Sequence, residues 1–457
     1  MVRNLIKLLT VGLAWLLPAA AAWADGAVYA MTNALGNNEI VVYHRATDGS
    51  LSLVRVTATG GGGSGLQLAG VDSLGSAGSV QLDPDHHLLF AVNTESAAEN
   101  DGVAAYNTDC RQGTITSFRV AADGTLTFAD RVFSGGLFPN SVAVKKIGKG
   151  NNDKKGELLY VLNAGGPEGL AICHLTPATA NLPNITGFGV DEAGHMTRVD
   201  STAPIDPGPP TGTGENCSAA SAAGFAALTG APAADFQCGL NPPSFARSPA
   251  QIAFTPDGKQ LVVTVKGTNT IDVFPVDKDG NAGNPIATQG TLPALPTYFG
   301  VDFAGSGDLL VAEMFGAAGT IPAGAAGAAS SFAVGNAGDL TTISSHTADG
   351  GTAPAAIVLE PIVGRLAYVS NNLSGSISSY TVGGNGVVTL LNSTAAAALG
   401  PNDLATAAEG NLSFLYVVSA ATGTVGAFRI NGDGSLTSLT GGGGLPAGRS
   451  AQGLAAF

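Results

Sequence analysis

The sequence predicts an all-β protein, a seven-bladed β-propeller whose blades are four-stranded antiparallel sheets. Three observations support this prediction. A short apolar strand rich in Leu, Tyr and Val recurs seven times along the 457 residues. Asp-Gly turns, which favour tight hairpins, follow several of the copies. The strand that is missing at the start of the chain is found at its end. These features indicate a circular array, closed by a C-terminal strand that completes the first blade.

The recurrent apolar strand is the second strand of each blade, and its continuous apolar character fits burial between blade faces. The copies are residues 28–32, 88–93, 158–163, 261–266, 309–313, 366–371 and 414–419. The third strands are predicted at 40–44, 114–120, 185–190, 270–276, 330–334, 376–382 and 424–430. Six first strands are predicted at 79–82, 140–144, 250–254, 299–303, 355–359 and 403–406, and the seventh lies within 451–457. Two β-sandwich domains are the alternative, but they explain neither the repeat nor the displaced strand.

The first 24 residues have the pattern of a cleaved signal peptide. Arg3 and Lys7 precede a short apolar run, and Ala22 and Ala24 are the small residues that signal peptidase prefers. A membrane anchor is the alternative, but the run is short for a span of about 20 residues. We therefore expect an exported protein, periplasmic or secreted, with residues 25–457 forming a single propeller and no membrane span.

The formal net charge of −14 disfavours a phosphate backbone as ligand, so nucleic acid is excluded as an expected partner. The composition gives no sign of the oligomeric state, and we take the protein as a monomer.

Three long insertions lie on one face of the predicted disc, at about 94–113, 164–184 and 201–248. Cys110 and Cys173 lie in the first two insertions, and Cys217 and Cys238 lie in the third. Export makes disulfides expected. The first two insertions belong to neighbouring blades, which favours the pairs Cys110–Cys173 and Cys217–Cys238, although the spacing alone does not fix the connectivity.

Second strands end, and first strands begin, at the same end of the predicted channel, which we call the mouth. Polar residues recur there, as a pocket at the mouth requires. Asn93, Asn163 and Asn371 end second strands, and Asp403 begins a first strand. We expect these four to bind substrate. The alternative for each Asn is that its amide satisfies backbone groups of the adjoining loop.

Lys266 and Glu313 stand out because five other blades carry a neutral residue at the corresponding strand end. A carboxylate and an ammonium group at a restricted mouth suit a general base and an oxyanion-stabilising group, so both are predicted to be catalytic. A structural ion pair between them is the alternative. Glu95 and Arg247 are placed to reach the same space and are further candidates for substrate binding.

Other catalytic motifs are absent from the sequence. It contains no G-x-S-x-G nucleophile elbow, no H-E-x-x-H zinc motif and no phosphate-binding loop. Its six histidines show no ligand spacing. We therefore expect neither a metal nor any other cofactor.

The segment Lys266-Gly267-Thr268-Asn269-Thr270 and the segment Ala312-Glu313-Met314-Phe315-Gly316 resemble motifs of the seven-bladed lactonase family, which is also called 3-carboxymuconate cyclase-like or 6-phosphogluconolactonase-like. The resemblance covers essentially the whole mature chain. It implies a propeller fold and an enzyme that opens a sugar lactone or cyclises a muconate. In that family, Glu, His and Arg residues of the channel are implicated in the chemistry.

Two functions from different classes fit the sequence. The first is a lactonase-like enzyme that hydrolyses or forms a small lactone at the mouth and takes a lactone or hydroxy acid as its ligand. The second is a non-enzymatic propeller that binds a protein or glycan of the cell envelope across the face that carries the insertions.

Overall fold

A computed structural model of the protein describes residues 26–34, 36–65, 72, 74–83, 85–94, 113–146, 156–165, 183–206, 248–289, 297–314, 327–448 and 451–457. The predicted signal peptide at 1–24 lies outside the described residues. So do Glu95, Arg247 and all but the ends of the three insertions. The four cysteines of the expected disulfides, Cys110, Cys173, Cys217 and Cys238, also lie outside them.

The described residues form 28 strands in seven four-stranded antiparallel sheets, which confirms the predicted all-β, seven-bladed propeller. Blade one consists of β28 (Leu454–Ala456), β1 (Gly26–Met31), β2 (Glu39–Arg45) and β3 (Leu51–Ala58). Blade two consists of β4 (Val80–Leu82), β5 (Leu88–Asn93), β6 (Thr114–Val120) and β7 (Leu126–Phe133). Blade three consists of β8 (Pro139–Lys146), β9 (Glu157–Asn163), β10 (Asn184–Val190) and β11 (Met196–Pro204). Blade four consists of β12 (Pro249–Phe254), β13 (Gln260–Val265), β14 (Thr270–Pro275) and β15 (Ile286–Gln289).

The remaining blades follow the same plan. Blade five consists of β16 (Thr297–Phe303), β17 (Leu309–Met314), β18 (Ala328–Val334) and β19 (Leu340–Ala348). Blade six consists of β20 (Pro354–Leu359), β21 (Leu366–Asn371), β22 (Ser376–Val382) and β23 (Val388–Ala397). Blade seven consists of β24 (Pro401–Glu409), β25 (Leu412–Ser419), β26 (Thr424–Ile430) and β27 (Leu436–Gly443). In the described part of the chain, no helix is long and apolar enough to cross a membrane.

The last strand closes the ring, as the sequence predicted. Strand β28 pairs antiparallel with β1, with Ala30 opposite Leu454 and Val28 opposite Ala456. The carbonyl oxygen of Phe457 also accepts a hydrogen bond of 2.8 Å from Arg45 Nε, and the Arg45 guanidinium forms an ion pair of 3.0 Å with Glu409. The first blade is therefore built from both ends of the propeller sequence.

The second strands carry the core, because their side chains lie between the faces of neighbouring blades. Every residue of β1, β5, β9, β13 and β17 is buried. Fourth strands alternate between exposed and partly buried residues, as expected for the outer edge of a blade. This confirms the interpretation of the apolar repeat as the buried strand of each blade.

Candidate functional site

The three asparagines at the ends of second strands lie in equivalent positions. Asn93, Asn163 and Asn371 each pair with the first residue of the following third strand. All three side chains are completely buried. Two of them reach back toward the preceding blade: Asn93 Oδ1 accepts a 3.1 Å hydrogen bond from Asn38 Nδ2, and Asn163 Nδ2 donates to the Ser134 carbonyl at 3.2 Å. The Asn163 contact fits the alternative in which the amide satisfies a backbone group of the adjoining loop, whereas the Asn93 contact is to another side chain.

Glu313 occupies the same strand-end position in blade five, since it pairs with Ala328, the first residue of β18. The residue is buried. The hydroxyl of Ser330 on β18 donates to Oε1, and His346 Nδ1 on β19 lies 2.9 Å from Oε2. Ser330 Oγ also accepts a 2.9 Å hydrogen bond from the His346 backbone amide. Glu313, Ser330 and His346 therefore form a row across three strands of one blade, which we call the blade-five row.

His346 is the solvent-accessible member of this row, because its side chain is 30% exposed while that of Glu313 is 3% exposed. It lies at a register shift between β18 and β19 and has a φ of 53°, in the left-handed region that a non-glycine residue rarely adopts. Backbone strain of this kind concentrates at functional positions. A buried carboxylate that holds a half-exposed imidazole is an arrangement suited to general base catalysis.

Lys266 does not occupy the position of Glu313 in its own blade. The residue that pairs with the first residue of β14 is Val265, and Lys266 is the next residue along the chain. Because side chains alternate along a strand, an offset of one residue turns a side chain to the other face. Lys266 Nζ donates to the carbonyl of Gly75 and lies 4.8 Å from the centre of the Phe299 ring.

Residues 74–78, together with Asp72, form a short segment that lies across the axis between the first strands; we call it the axial segment. Ser76 Oγ donates to the Asn140 carbonyl at 2.7 Å, and Ala77 N donates to the Ala250 carbonyl at 3.2 Å. Gln452 Nε2 donates to the Ser76 carbonyl. The segment is thus fastened to blades one, three and four, and it covers Lys266, which is 4% exposed.

Three ionisable groups are buried around the axial segment. Burial lowers the pKa of Lys266, and the nearby Asp72 carboxylate opposes that change. Burial raises the pKa of Asp72, against the opposing effects of Gln452 and Lys266. Burial also raises the pKa of Asp403 to about 7, and the charge of Asp72 contributes to the same direction. These three groups form an axial cluster, in which burial disfavours the charged form of each side chain.

The structure therefore places the two residues predicted to be catalytic in different surroundings. Glu313 bonds outward across its own blade, whereas Lys266 bonds inward to the axial segment. Asp403 is part of the axial cluster with Lys266, because the Asp72 carboxylate interacts electrostatically with both groups, and it is not part of the blade-five row. Sequence reasoning missed both Asp72, which lies in a connection between blades, and His346. The strand repeat did place His346 in the same blade as Glu313, because His346 lies on the fourth strand of the blade whose second strand carries Glu313.

Among the residues that the structure describes, no group of three His, Cys, Asp or Glu side chains could hold a metal ion. The contact between the Glu313 carboxylate and the His346 ring suits proton transfer by side chains, in which the imidazole takes a proton from water and Glu313 orients the ring. Ser330 bonds to Glu313 and not to the imidazole ring, so the row does not have the geometry of a serine nucleophile activated by histidine.

Comparisons with known proteins agree with this fold. The family model described as "Lactonase, 7-bladed beta-propeller" matches residues 327–446. No curated protein matches the chain. The periplasmic gluconolactonase of Pseudomonas aeruginosa has a similar structure, with 16% identity, a TM-score of 0.61, and 95% of this chain and 98% of that chain covered.

Two further solved structures are similar over nearly the whole chain. One comes from Bacteroides fragilis and is named provisionally as a 6-phosphogluconolactonase, with 15% identity, a TM-score of 0.59 and 96% and 99% coverage. The other is a protein from Lactobacillus plantarum, with 16% identity, a TM-score of 0.60 and 95% and 99% coverage. The resemblance predicted from the sequence is thus confirmed: the chain has the fold of the seven-bladed lactonase propellers, and residues 327–446 match the sequence model of that family.

Proposed function

We propose that this protein is an exported lactonase that hydrolyses a small, uncharged lactone at the blade-five row, which extends outward from the mouth end of β17 to the outer strand β19. The observation that carries the proposal is the 2.9 Å contact between the buried Glu313 carboxylate and Nδ1 of the half-exposed His346. Similarity to lactonase propellers supports the same reaction class, and one of the similar structures is a periplasmic gluconolactonase. The signal-peptide pattern at 1–24 supports export.

In the proposed reaction, Glu313 accepts a hydrogen bond from Nδ1 and so leaves the lone pair of the ring on Nε2. His346 Nε2 takes a proton from a water molecule as the water oxygen attacks the lactone carbonyl carbon. The ester C–O bond of the resulting tetrahedral intermediate then breaks, and the proton is returned to the leaving alkoxide. The product is the open hydroxy acid, and no group other than water is consumed.

The substrate class follows from charge. The formal net charge of −14 repels an anionic substrate, such as a phosphorylated lactone. The Lys266 ammonium, which the sequence suggested as an anion-binding group, is buried against the Gly75 carbonyl. We assign Lys266 to holding the axial segment, with no direct role toward substrate. An uncharged sugar lactone is therefore preferred over its phosphorylated form.

The test is a pH-stat assay of the purified protein against glucono-δ-lactone and its 6-phosphate. Glu313→Gln and His346→Gln should each lower kcat/KM by about 100-fold or more, the usual contribution of a general base. Glu360→Gln is the matched control, because Glu360 also accepts a hydrogen bond from a serine hydroxyl, Ser413, but lies in a turn of blade six at the opposite face. This control should retain activity within a few-fold.

Full activity of a folded Glu313→Gln protein would remove the assignment of the blade-five row. A wild-type protein that turns over no lactone would overturn the enzymatic proposal in favour of the binding propeller. Faster turnover of the phosphorylated lactone would contradict the substrate class alone.

A further inference from the structure

A cavity of about 750 Å³ lies between blades six and seven, on the face opposite the mouth. Residues from four turns contribute to its lining: turns 360–365 and 383–387 of blade six, and turns 410–411 and 431–435 of blade seven. Its volume is within the roughly 300–1,000 Å³ of typical small-molecule sites. No residue of the blade-five row lines it, so it is a separate candidate site.

One wall of this cavity is apolar and open to solvent. Ile362, Val363 and Val387 line it and are 43%, 67% and 38% exposed. Leu366, which is partly buried, extends the same wall. Single apolar residues scattered over a surface need no explanation, but several that gather in one concavity are typical of a binding site. The wall therefore favours a ligand with an aliphatic part, because such a ligand removes this surface from water.

The acidic side chain of the lining, Glu360, is already engaged within the protein. Its Oε1 accepts hydrogen bonds from the Ser413 hydroxyl and from the Ile362 amide, the latter at 2.8 Å. Its Oε2 accepts hydrogen bonds from the amides of Val363 at 2.8 Å and Gly364 at 3.0 Å. Because each oxygen already accepts two hydrogen bonds and the residue is buried, Glu360 holds its turn together and is not available to a cationic ligand.

The basic side chain of the lining, Arg365, is free to bind a ligand. It is exposed, and its guanidinium makes no hydrogen bond or ion pair with any residue that the structure describes. The planar array of N–H donors on a guanidinium matches the two oxygens of a carboxylate. Asn411, on the blade-seven side of the cavity, also has a side-chain amide without a partner among those residues. The free donors of the cavity therefore favour a carboxylate group.

We propose that this cavity binds a medium-chain alkanoate, whose carboxylate pairs with Arg365 and whose alkyl chain covers Ile362, Val363 and Val387. The carboxylate neutralises an unpaired guanidinium, and the chain removes the exposed apolar wall from water. The net charge of −14 opposes an anion at long range, but salt at about 0.15 M screens charges that are more than about 8 Å apart, so the contact with Arg365 dominates. The proposal does not depend on lactone hydrolysis.

The test is calorimetric titration of the full propeller with sodium octanoate in about 0.15 M salt. Separate arms use 1-octanol, sodium butyrate and n-octylammonium chloride. We expect octanoate to bind with a Kd of roughly 1 mM or below. The uncharged 1-octanol should bind at least about fivefold more weakly, because it lacks the pairing with the guanidinium. Butyrate should bind at least about tenfold more weakly, because its shorter chain covers less of the apolar wall.

The first variant removes the charged contact. Arg365→Gln should lower the affinity for octanoate about fivefold or more and leave that for 1-octanol within about twofold of wild type. Arg119→Gln is the matched control, since Arg119 is also exposed but lies on β6 of blade two. Neither Arg119→Gln nor Glu313→Gln should change octanoate binding, and the result for Glu313→Gln separates this inference from the proposed function.

The second variant tests the apolar wall. Val363→Asp places a carboxylate in that wall and should abolish octanoate binding, and the 67% exposure of Val363 leaves the fold little dependent on its side chain. Unchanged octanoate binding in either variant, equal affinity for 1-octanol, or no binding of octanoate to wild type would overturn the proposal. Tighter binding of n-octylammonium than of octanoate would overturn it in favour of a cation site at Glu360.

Discussion

At the scale of single residues, burial sets the charge of Asp403 and links it to stability. Burial raises its pKa to about 7 from the ordinary 3.8, so the native state holds a proton that the unfolded state has released. This contribution to stability is complete below about pH 4 and is lost as the pH rises through 7. The Asp403→Asn variant has no carboxyl group to ionise at this position, so it does not lose this stability. The difference in free energy of unfolding between the variant and wild type should therefore shift in favour of the variant by about 1–3 kcal/mol from pH 5 to pH 8.

Chemical denaturation of both proteins at pH 5 and pH 8 measures this difference. Asp433→Asn is the control: Asp433 is exposed in a turn, where hydrogen bonds from Ser435 lower its pKa, so its removal should bring no gain at pH 8. An Asp403→Asn effect of equal size at both pH values would show that the carboxyl is not protonated in the native state.

The blade-five row marks the limit of what the sequence predicts at this scale. The strand-end position of Glu313 follows from the repeat, because each copy ends at the mouth. The separation of Lys266 from Glu313 does not follow, since it depends on a register difference of one residue that reverses the direction of a side chain. His346 depends on a β-bulge between β18 and β19, which leaves no trace in the periodicity.

At the scale of strands and turns, neighbouring blades are joined by a repeated hydrogen bond. A second-strand tyrosine donates to the carbonyl of the glycine in the Asp-Gly hairpin of the next blade. The four pairs are Tyr29–Gly124 at 2.8 Å, Tyr160–Gly280 at 2.6 Å, Tyr368–Gly434 at 3.2 Å and Tyr416–Gly49 at 3.0 Å. The sequence shows both the tyrosines and the turns, but only the arrangement of the blades in the propeller shows that they are in contact.

Removal of one of these hydroxyl groups should weaken the contact between two blades without changing the fold. Tyr416→Phe should lower the free energy of unfolding by about 1 kcal/mol, because the buried Gly49 carbonyl loses its donor. A phenylalanine side chain fits at this position, because Phe90 occupies the equivalent position in blade two. Urea denaturation measures the loss, and a Tyr416→Phe protein as stable as wild type would contradict a role for the tyrosine–glycine pair in joining the blades.

At the scale of the whole molecule, the propeller could be predicted because the strand pattern of one blade recurs seven times in the sequence. Seven similar strands, and the displacement of one first strand to the C-terminus, leave few arrangements that pair every strand. The axial segment is different, because among the described connections between blades it alone turns inward, and it therefore has no repeat in the sequence to reveal it. Asp72 and the closure of the mouth over Lys266 therefore emerge only from the folded structure.

Ring closure makes stability depend on the last four residues. A chain that ends at Gly453 lacks β28, so it loses the buried Leu454 side chain, the pairing with β1 and the Arg45 contact to the Phe457 carbonyl. We expect the free energy of unfolding to fall by roughly 3–6 kcal/mol from lost burial and hydrogen bonds. Phe457→Ala is the control, because it keeps the backbone of β28. Guanidinium denaturation should show a much lower midpoint for the shortened chain and a smaller decrease for Phe457→Ala, which loses only the stacking of its ring on Tyr29 and His86. If the shortened chain unfolds at the wild-type midpoint, the C-terminal strand is not what holds the ring closed.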